Sequence, residues 1–142
     1  MSNETSSLMG GCLCGAIRYS IRAEASMAAC CHCRDCQKAT GAAYFPALAV
    51  PAAALEVKGE PRTFATRADS GNTITRAFCG SCGSTLWGWS SAMPEGRNVS
   101  AATLDDPRRF TPMAHIFTRS AQPWDQVPAG VPQFERMPSP PK

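Results

Sequence analysis

Cys30-Cys31-His32-Cys33-Arg34-Asp35-Cys36 packs four cysteines into one short stretch, and its reading decides what kind of domain the chain forms. Within it Cys31, Cys33 and Cys36 are spaced Cys-x-Cys-x-x-Cys, so one bend can turn three thiols toward a common point. Two smaller groups accompany it, Cys12-Leu13-Cys14 and Cys79-Gly80-Ser81-Cys82-Gly83. A Cys-x-Cys pair on extended backbone puts both side chains on one face. A Cys-x-x-Cys pair among glycines lets two thiolates converge while backbone amides point at the sulfurs. A tetrahedral zinc with Zn–S bonds of about 2.3 Å needs that arrangement. A disulfide within either spacing requires unusual geometry, except in a redox Cys-x-x-Cys.

The count then divides. Three ligands from the middle group leave the fourth tetrahedral position free, as in catalytic zinc sites, whereas structural sites are closed. The other four cysteines, two and two, make a closed four-thiol site. This leaves Cys30. Neighbours on an extended chain point to opposite faces, so Cys30 is expected to be a small buried residue rather than a ligand. If it did bind, the middle site would be closed. Three other readings compete. The clusters are only buried thiols; Cys79 and Cys82 are a redox pair, although no βαβ pattern surrounds them; or all the zinc is structural.

The 142 residues suit one domain with a real core. Charged residues make up 18% and the net charge is +3, too mild and too scattered to predict a nucleic-acid or membrane surface. No apolar run approaches the ~18 residues of a membrane span. Met1 to Gly10 is polar, without a basic start or an apolar stretch, which predicts no signal peptide and a cytoplasmic protein. Disulfides are rare in that compartment, so eight cysteines point to metal. Residues 1–9 read as an N-terminal tail. Residues 137–142, MPSPPK, read as a Pro-rich C-terminal tail. The domain lies between them, over 10–136.

Strand signals dominate that domain. Ile17, Tyr19 and Ile21 alternate with Arg18, Ser20 and Arg22, the period of a half-buried strand. Leu55–Val57 and Arg62–Phe64 flank a turn at Lys58-Gly59-Glu60-Pro61. Ser70-Gly71-Asn72 is a second turn, followed by the β-branched stretch Thr73–Phe78. Thr85–Trp89 and Asn98–Thr103 read as further strands. Pro46 makes Ala43–Val50 an edge or bulged strand. Helix is limited to Arg34–Thr40, stopped by Gly41, and a turn within Leu104–Phe110.

Several residues admit two roles. His32, between two ligands, is expected to point away from the metal, in a satisfied structural or surface role. His115, in the strand-like Met113-Ala114-His115-Ile116-Phe117, is a core or edge histidine or lines the active cleft. Trp87, Trp89 and Trp124 are core or rim aromatics. Arg34, Lys38 and Arg119 are candidate anion contacts, although scattered cations are usually only solvated. Neither histidine begins a His-x-Glu motif, which argues against a zinc nucleobase deaminase. Neither a Gly-x-Ser-x-Gly elbow nor a P-loop is present.

Longer stretches carry a family likeness. Gly10-Gly11-Cys12-Leu13-Cys14-Gly15-Ala16-Ile17-Arg18-Tyr19, Cys31-His32-Cys33-Arg34-Asp35-Cys36-Gln37-Lys38-Ala39-Thr40-Gly41 and Phe78-Cys79-Gly80-Ser81-Cys82-Gly83-Ser84 resemble the three motifs of the glutathione-dependent formaldehyde-activating enzyme family. That family also includes centromere protein V. Leu104-Asp105-Asp106-Pro107, His115-Ile116-Phe117, Pro123-Trp124 and Pro132-Gln133-Phe134 resemble its C-terminal half. Cys30 departs from the pattern, which has a non-cysteine there.

The resemblance implies a mainly β, Mss4-like fold of bent antiparallel sheets with zinc knuckles and little helix. It implies two zincs per chain: a structural one on Cys12, Cys14, Cys79 and Cys82, and a catalytic one on Cys31, Cys33 and Cys36. It implies carbon–sulfur lyase chemistry, with glutathione and formaldehyde giving S-(hydroxymethyl)glutathione. The partner is then a small molecule, glutathione or another thiol adduct. Two alternatives stand beside it: a non-catalytic, zinc-stabilised binding module, and a zinc enzyme for a different thiol adduct or aldehyde.

Overall fold

A computed structural model describes residues 7–138. The strands are β1 (Leu8–Gly11), β2 (Arg18–Ile21), β3 (Met27–Cys31), β4 (Phe45–Pro51), β5 (Leu55–Lys58), β6 (Arg62–Arg67), β7 (Thr73–Phe78), β8 (Thr85–Ser90), β9 (Gly96–Ser100) and β10 (Ala114–Ile116). The α-helix is α1 (Arg34–Thr40), and short 3₁₀ turns lie at Ala52–Ala54, Ala101–Thr103, Pro107–Arg109 and Thr118–Ser120. The protein is therefore mainly β, as expected. Its strands form a three-stranded sheet, β1-β2-β5, and a seven-stranded sheet, β10-β3-β4-β9-β8-β7-β6.

Alternation in β2 does what its sequence predicts. Tyr19 and Ile21 are buried while Arg18 and Ser20 are half-exposed. Ile21 packs with Leu86, Val99, Leu48, Val50 and Trp87 into the core between the sheets. Burying an aliphatic side chain of this size contributes about 1.5–3 kcal/mol, which explains why these positions hold the two sheets together. The smaller sheet is also clamped by polar contacts. Tyr19 Oη and Thr103 Oγ1 lie 2.7 Å apart, and Arg18 meets Asp105 through two hydrogen bonds of 2.5 and 2.9 Å. Gly10 permits this approach, because a Cβ there would strike the Thr103 carbonyl and the Tyr19 hydroxyl.

Four details differ from the sequence reading. β1 begins at Leu8, inside the segment read as tail; residues 1–6 and 139–142 lie outside the described residues. β4 is central rather than an edge, pairing with β3 on one side and β9 on the other. Pro46 is tolerated because its register partner is Cys30 of β3, while the ladder to β9 begins only at Ala47. The sheet is not wholly antiparallel, since β10 lies parallel to β3, with His115 opposite Cys30. Finally, β9 ends at Ser100 and the chain turns through Ala101–Thr103 instead of continuing as strand.

Candidate metal centre

The first cluster is built from two turns on distant parts of the chain. After Cys12 the backbone reverses through Gly15, whose φ of +83° favours glycine, and the Cys12 and Ile17 backbones pair at 3.0 Å. The Ile17 amide donates to Cys12 Sγ at 3.2 Å. The second turn follows Cys79: Gly83, at φ +78°, donates to the Cys79 carbonyl at 2.8 Å, and the Ser81 amide points at Cys79 Sγ at 3.4 Å. Ser84 joins the two turns. Its Oγ accepts from the Leu13 amide at 3.0 Å and lies 3.3 Å from Cys82 Sγ.

This brings the sulfurs of Cys12, Cys14, Cys79 and Cys82 all within 4.8 Å of one another. Cys12 to Cys14 is 3.7 Å and Cys14 to Cys79 is 3.8 Å. A tetrahedron with metal–sulfur bonds of about 2.3 Å has edges of about 3.8 Å, so these separations suit four thiolates around one ion. Disulfide-bonded sulfurs would lie much closer, at about 2 Å, and all eight cysteines are free.

The second cluster sits where β3 meets α1. Cys31 is the last residue of β3, Cys33 is the N-cap of α1 and Cys36 lies in its first turn. The Cys36 amide donates to Cys33 Sγ at 3.3 Å, closing the bend. Gly41, at φ +70°, ends the helix, as its sequence predicts. These three sulfurs also fall within 4.8 Å of one another. Charge shows what they need. Donation from the Cys31 and Cys36 thiols pulls the Cys33 thiol down into the acid range, while the contacts with Cys33 and Cys36, reinforced by burial, push Cys31 far up. Three sulfurs so close ionise together only with a cation among them, and that donor set fits a thiophilic metal.

Among the described residues, neither Cys30 nor a histidine or carboxylate joins this group. Cys30 is fully buried on β3 beside Tyr44, and its burial raises the thiol to about 11. Burial does not distinguish the two clusters: Cys14 is exposed, whereas Cys31, Cys33 and Cys36 are half-buried. The ligand count distinguishes them.

His32 turns away from the thiols, as expected, and is fully buried. Its Nε2 lies 2.9 Å from Nδ1 of His115, and both rings pack against Tyr44. His32 Nδ1 and Asp125 Oδ2 are 3.6 Å apart, and neither has a hydrogen-bond partner among the described residues, so His32 is satisfied at only one of its two ring nitrogens. Burial holds both imidazoles below the usual histidine range, and Asp125 opposes this. Gln37 of α1 fixes the backbone of this region, donating to the carbonyls of His32 at 2.7 Å and Ser120 at 2.9 Å.

Of the cations considered from sequence, Arg34, Lys38 and Arg119 are all exposed, and Arg34 donates to Gln37 Oε1. The cation that favours charge on Cys33 and Cys36 is Arg76 of β7, which the sequence reading missed. Its position three residues before Cys79 in an alternating strand was the available signal. Trp87 is buried, Trp89 carries the Arg97 guanidinium 4.0 Å above its ring, and Trp124 is exposed.

Fold and clusters together define a β-sheet domain with two cysteine centres that can each hold a metal ion, one with four ligands and one with three. The profile of the glutathione-dependent formaldehyde-activating enzyme family matches residues 7–120. The chain belongs to that family. It is also similar to a Rhodobacter sphaeroides protein whose crystal structure was solved as a structural genomics target. That likeness has 26% identity and a TM-score of 0.54, covering 71% of this chain and 93% of the other. No curated protein matches.

Proposed function

We propose that the protein binds two zinc ions and is a carbon–sulfur lyase acting on thiol–aldehyde adducts, of the S-(hydroxymethyl)glutathione synthase type. Cys12, Cys14, Cys79 and Cys82 hold the structural ion. Cys31, Cys33 and Cys36 hold the other and leave one position for a substrate thiol. The observation that carries this reading is the three-sulfur group without a fourth protein ligand, in a chain of this family. Zinc bound there would keep an added thiol ionised and nucleophilic at neutral pH.

The charge count favours thiol capture over water activation. Three thiolates outweigh one Zn²⁺ by one negative charge, which makes a poorer Lewis acid than a histidine-rich site but preserves nucleophilic sulfur. In the forward reaction the substrate sulfur forms a bond to the aldehyde carbon. The carbonyl π pair moves onto oxygen, which takes up the proton the thiol released. The chain itself orients the partners: β3 and α1 fix the three sulfurs, and Gln37 fixes the bend between them.

Elemental analysis should give two zincs per chain in wild type and one in Cys33→Ser. Exchange between formaldehyde and glutathione, followed by NMR, should run faster than the spontaneous background, and Cys33→Ser should return it to that background. Two zincs with no acceleration would reassign the centre to another adduct or to a binding role.

A further inference from the structure

A three-thiolate zinc carries one net negative charge, and an ionised substrate thiol makes it two. Such a centre needs a positive neighbour unless it lies open to water, and its sulfurs are half-buried. The register of β7 and β8 shows which cation can serve. Arg76 is opposite Gly88 and, past a register shift between Ala77 and Phe78, Phe78 is opposite Thr85; Arg76 and Phe78 alternate onto one face of β7, so Thr85 stands on the face of Arg76. Thr85 Oγ1 donates to the Ala39 carbonyl at 2.8 Å. Ala39 lies one helical turn beyond Cys36, so α1 sits over this face.

Gly88 lets the stem of Arg76 lie close against the β8 backbone. A Cβ there would come within 3.5 Å of Arg76 Cγ and would also crowd the Thr75 carbonyl at 3.1 Å. The arginine is half-buried and is among none of the ion pairs of the described residues. Its described side-chain hydrogen bond, Nη1 to Thr66 Oγ1 at 3.3 Å, uses one of five donors. An arginine with no carboxylate beside it, under the helix that carries Cys36, is a charge in search of a partner.

We propose that Arg76 is the countercharge of the three-thiol centre, offsetting the negative charge that an ionised substrate thiol adds beside Cys31, Cys33 and Cys36. This rests on the thiol-binding reading above. Arg76 is a positioning residue rather than a ligand: it acts through the electrostatics of the sulfurs.

The test uses cobalt-substituted protein, with the visible thiolate charge-transfer and d–d bands followed as thiol is added. Glutathione and the uncharged 2-mercaptoethanol are compared. Arg76→Gln should weaken both by about tenfold, the size of a partly screened charge pair. Arg76→Lys keeps the charge and should stay within about threefold of wild type. Thr66→Asp leaves the arginine in place and pairs it with a carboxylate. It should weaken both thiols as Arg76→Gln does, and it decides the matter if Arg76→Gln fails to fold. Unchanged affinities in Arg76→Gln or in Thr66→Asp overturn the proposal. Loss for glutathione alone also overturns it, because the arginine would then bind a substrate carboxylate. An Arg76→Lys loss equal to that of Arg76→Gln would make its role one of shape, not charge. A wild-type protein with no spectral response to either thiol would refute the thiol-binding reading itself, a result distinct from all of these.

Discussion

Removing one ligand from each centre should have unequal effects on folding. Cys79→Ser breaks a cluster whose members Cys14 and Cys79 are 65 residues apart. Cys33→Ser breaks one whose outer members, Cys31 and Cys36, are near neighbours joined by the first turn of α1. Treated as a cross-link that restricts the unfolded chain, closure over the longer span is worth about 4 kcal/mol and over the shorter about 2 kcal/mol. The shorter figure is an upper bound, since helix hydrogen bonds already close that bend. A domain of this class has only about 5–15 kcal/mol in total. Each kcal/mol moves the midpoint by about 2–4 °C at this size. Cys79→Ser should therefore lose about 8–16 °C or fail to fold, and Cys33→Ser less than about 8 °C. Calorimetry on zinc-loaded protein, with metal content measured on the same samples, makes the comparison. Equal losses, each with one zinc gone, would refute the idea that the four-thiol centre holds the fold and the three-thiol centre does not.

Other consequences can be measured alongside. Leu86, fully buried between the sheets, should cost about 2–5 kcal/mol on truncation to alanine, read by denaturant unfolding. Gly59→Ala should be strongly destabilising in the same assay, because φ there is +97° and a Cβ would strike the Ala16 carbonyl. The His115 imidazole is held below its ordinary value by burial, so it binds protons more readily in the unfolded chain. That contribution to stability is intact above the unfolded value of about 6.5 and is lost as pH falls below it. His115→Asn should flatten the stability decline as pH falls below about 6.5, and an unchanged slope would exclude His115 as its source.

Much of this was legible because local chemistry and tertiary structure agree. Thr73–Phe78 is β-branched, follows a glycine turn and forms a strand with those bounds. Arg34–Thr40 has its left-handed glycine immediately after it. The three cysteine groups carry their geometry in their spacing. β3 was hidden because Ala28, Ala29 and Cys30 are small residues with no β-branching, and they are strand only because β4 and β10 flank them. The central place of β4 depends on where β9 begins to pair, which no local pattern around Pro46 reveals. Asp125 and Arg76 reach their places near the centre through long-range contacts, so neither stood out from the other charges in the chain.

The partnership of His32 with His115 spans 83 residues, and β10 lies alongside β3 across the same gap. On the ribosome, Cys31, Cys33 and Cys36 emerge well before β10, the strand that pairs with β3 at the sheet edge, has been synthesised. The four-thiol cluster is itself incomplete until Cys82 has left the exit tunnel. A nascent chain thus presents three closely spaced thiols to the cell before the strand that pairs with β3 at Cys31 exists. Early capture of a metal ion at that segment would protect it from oxidants during translation, and metal supply while the chain is being made would then bear on how much of it folds undamaged.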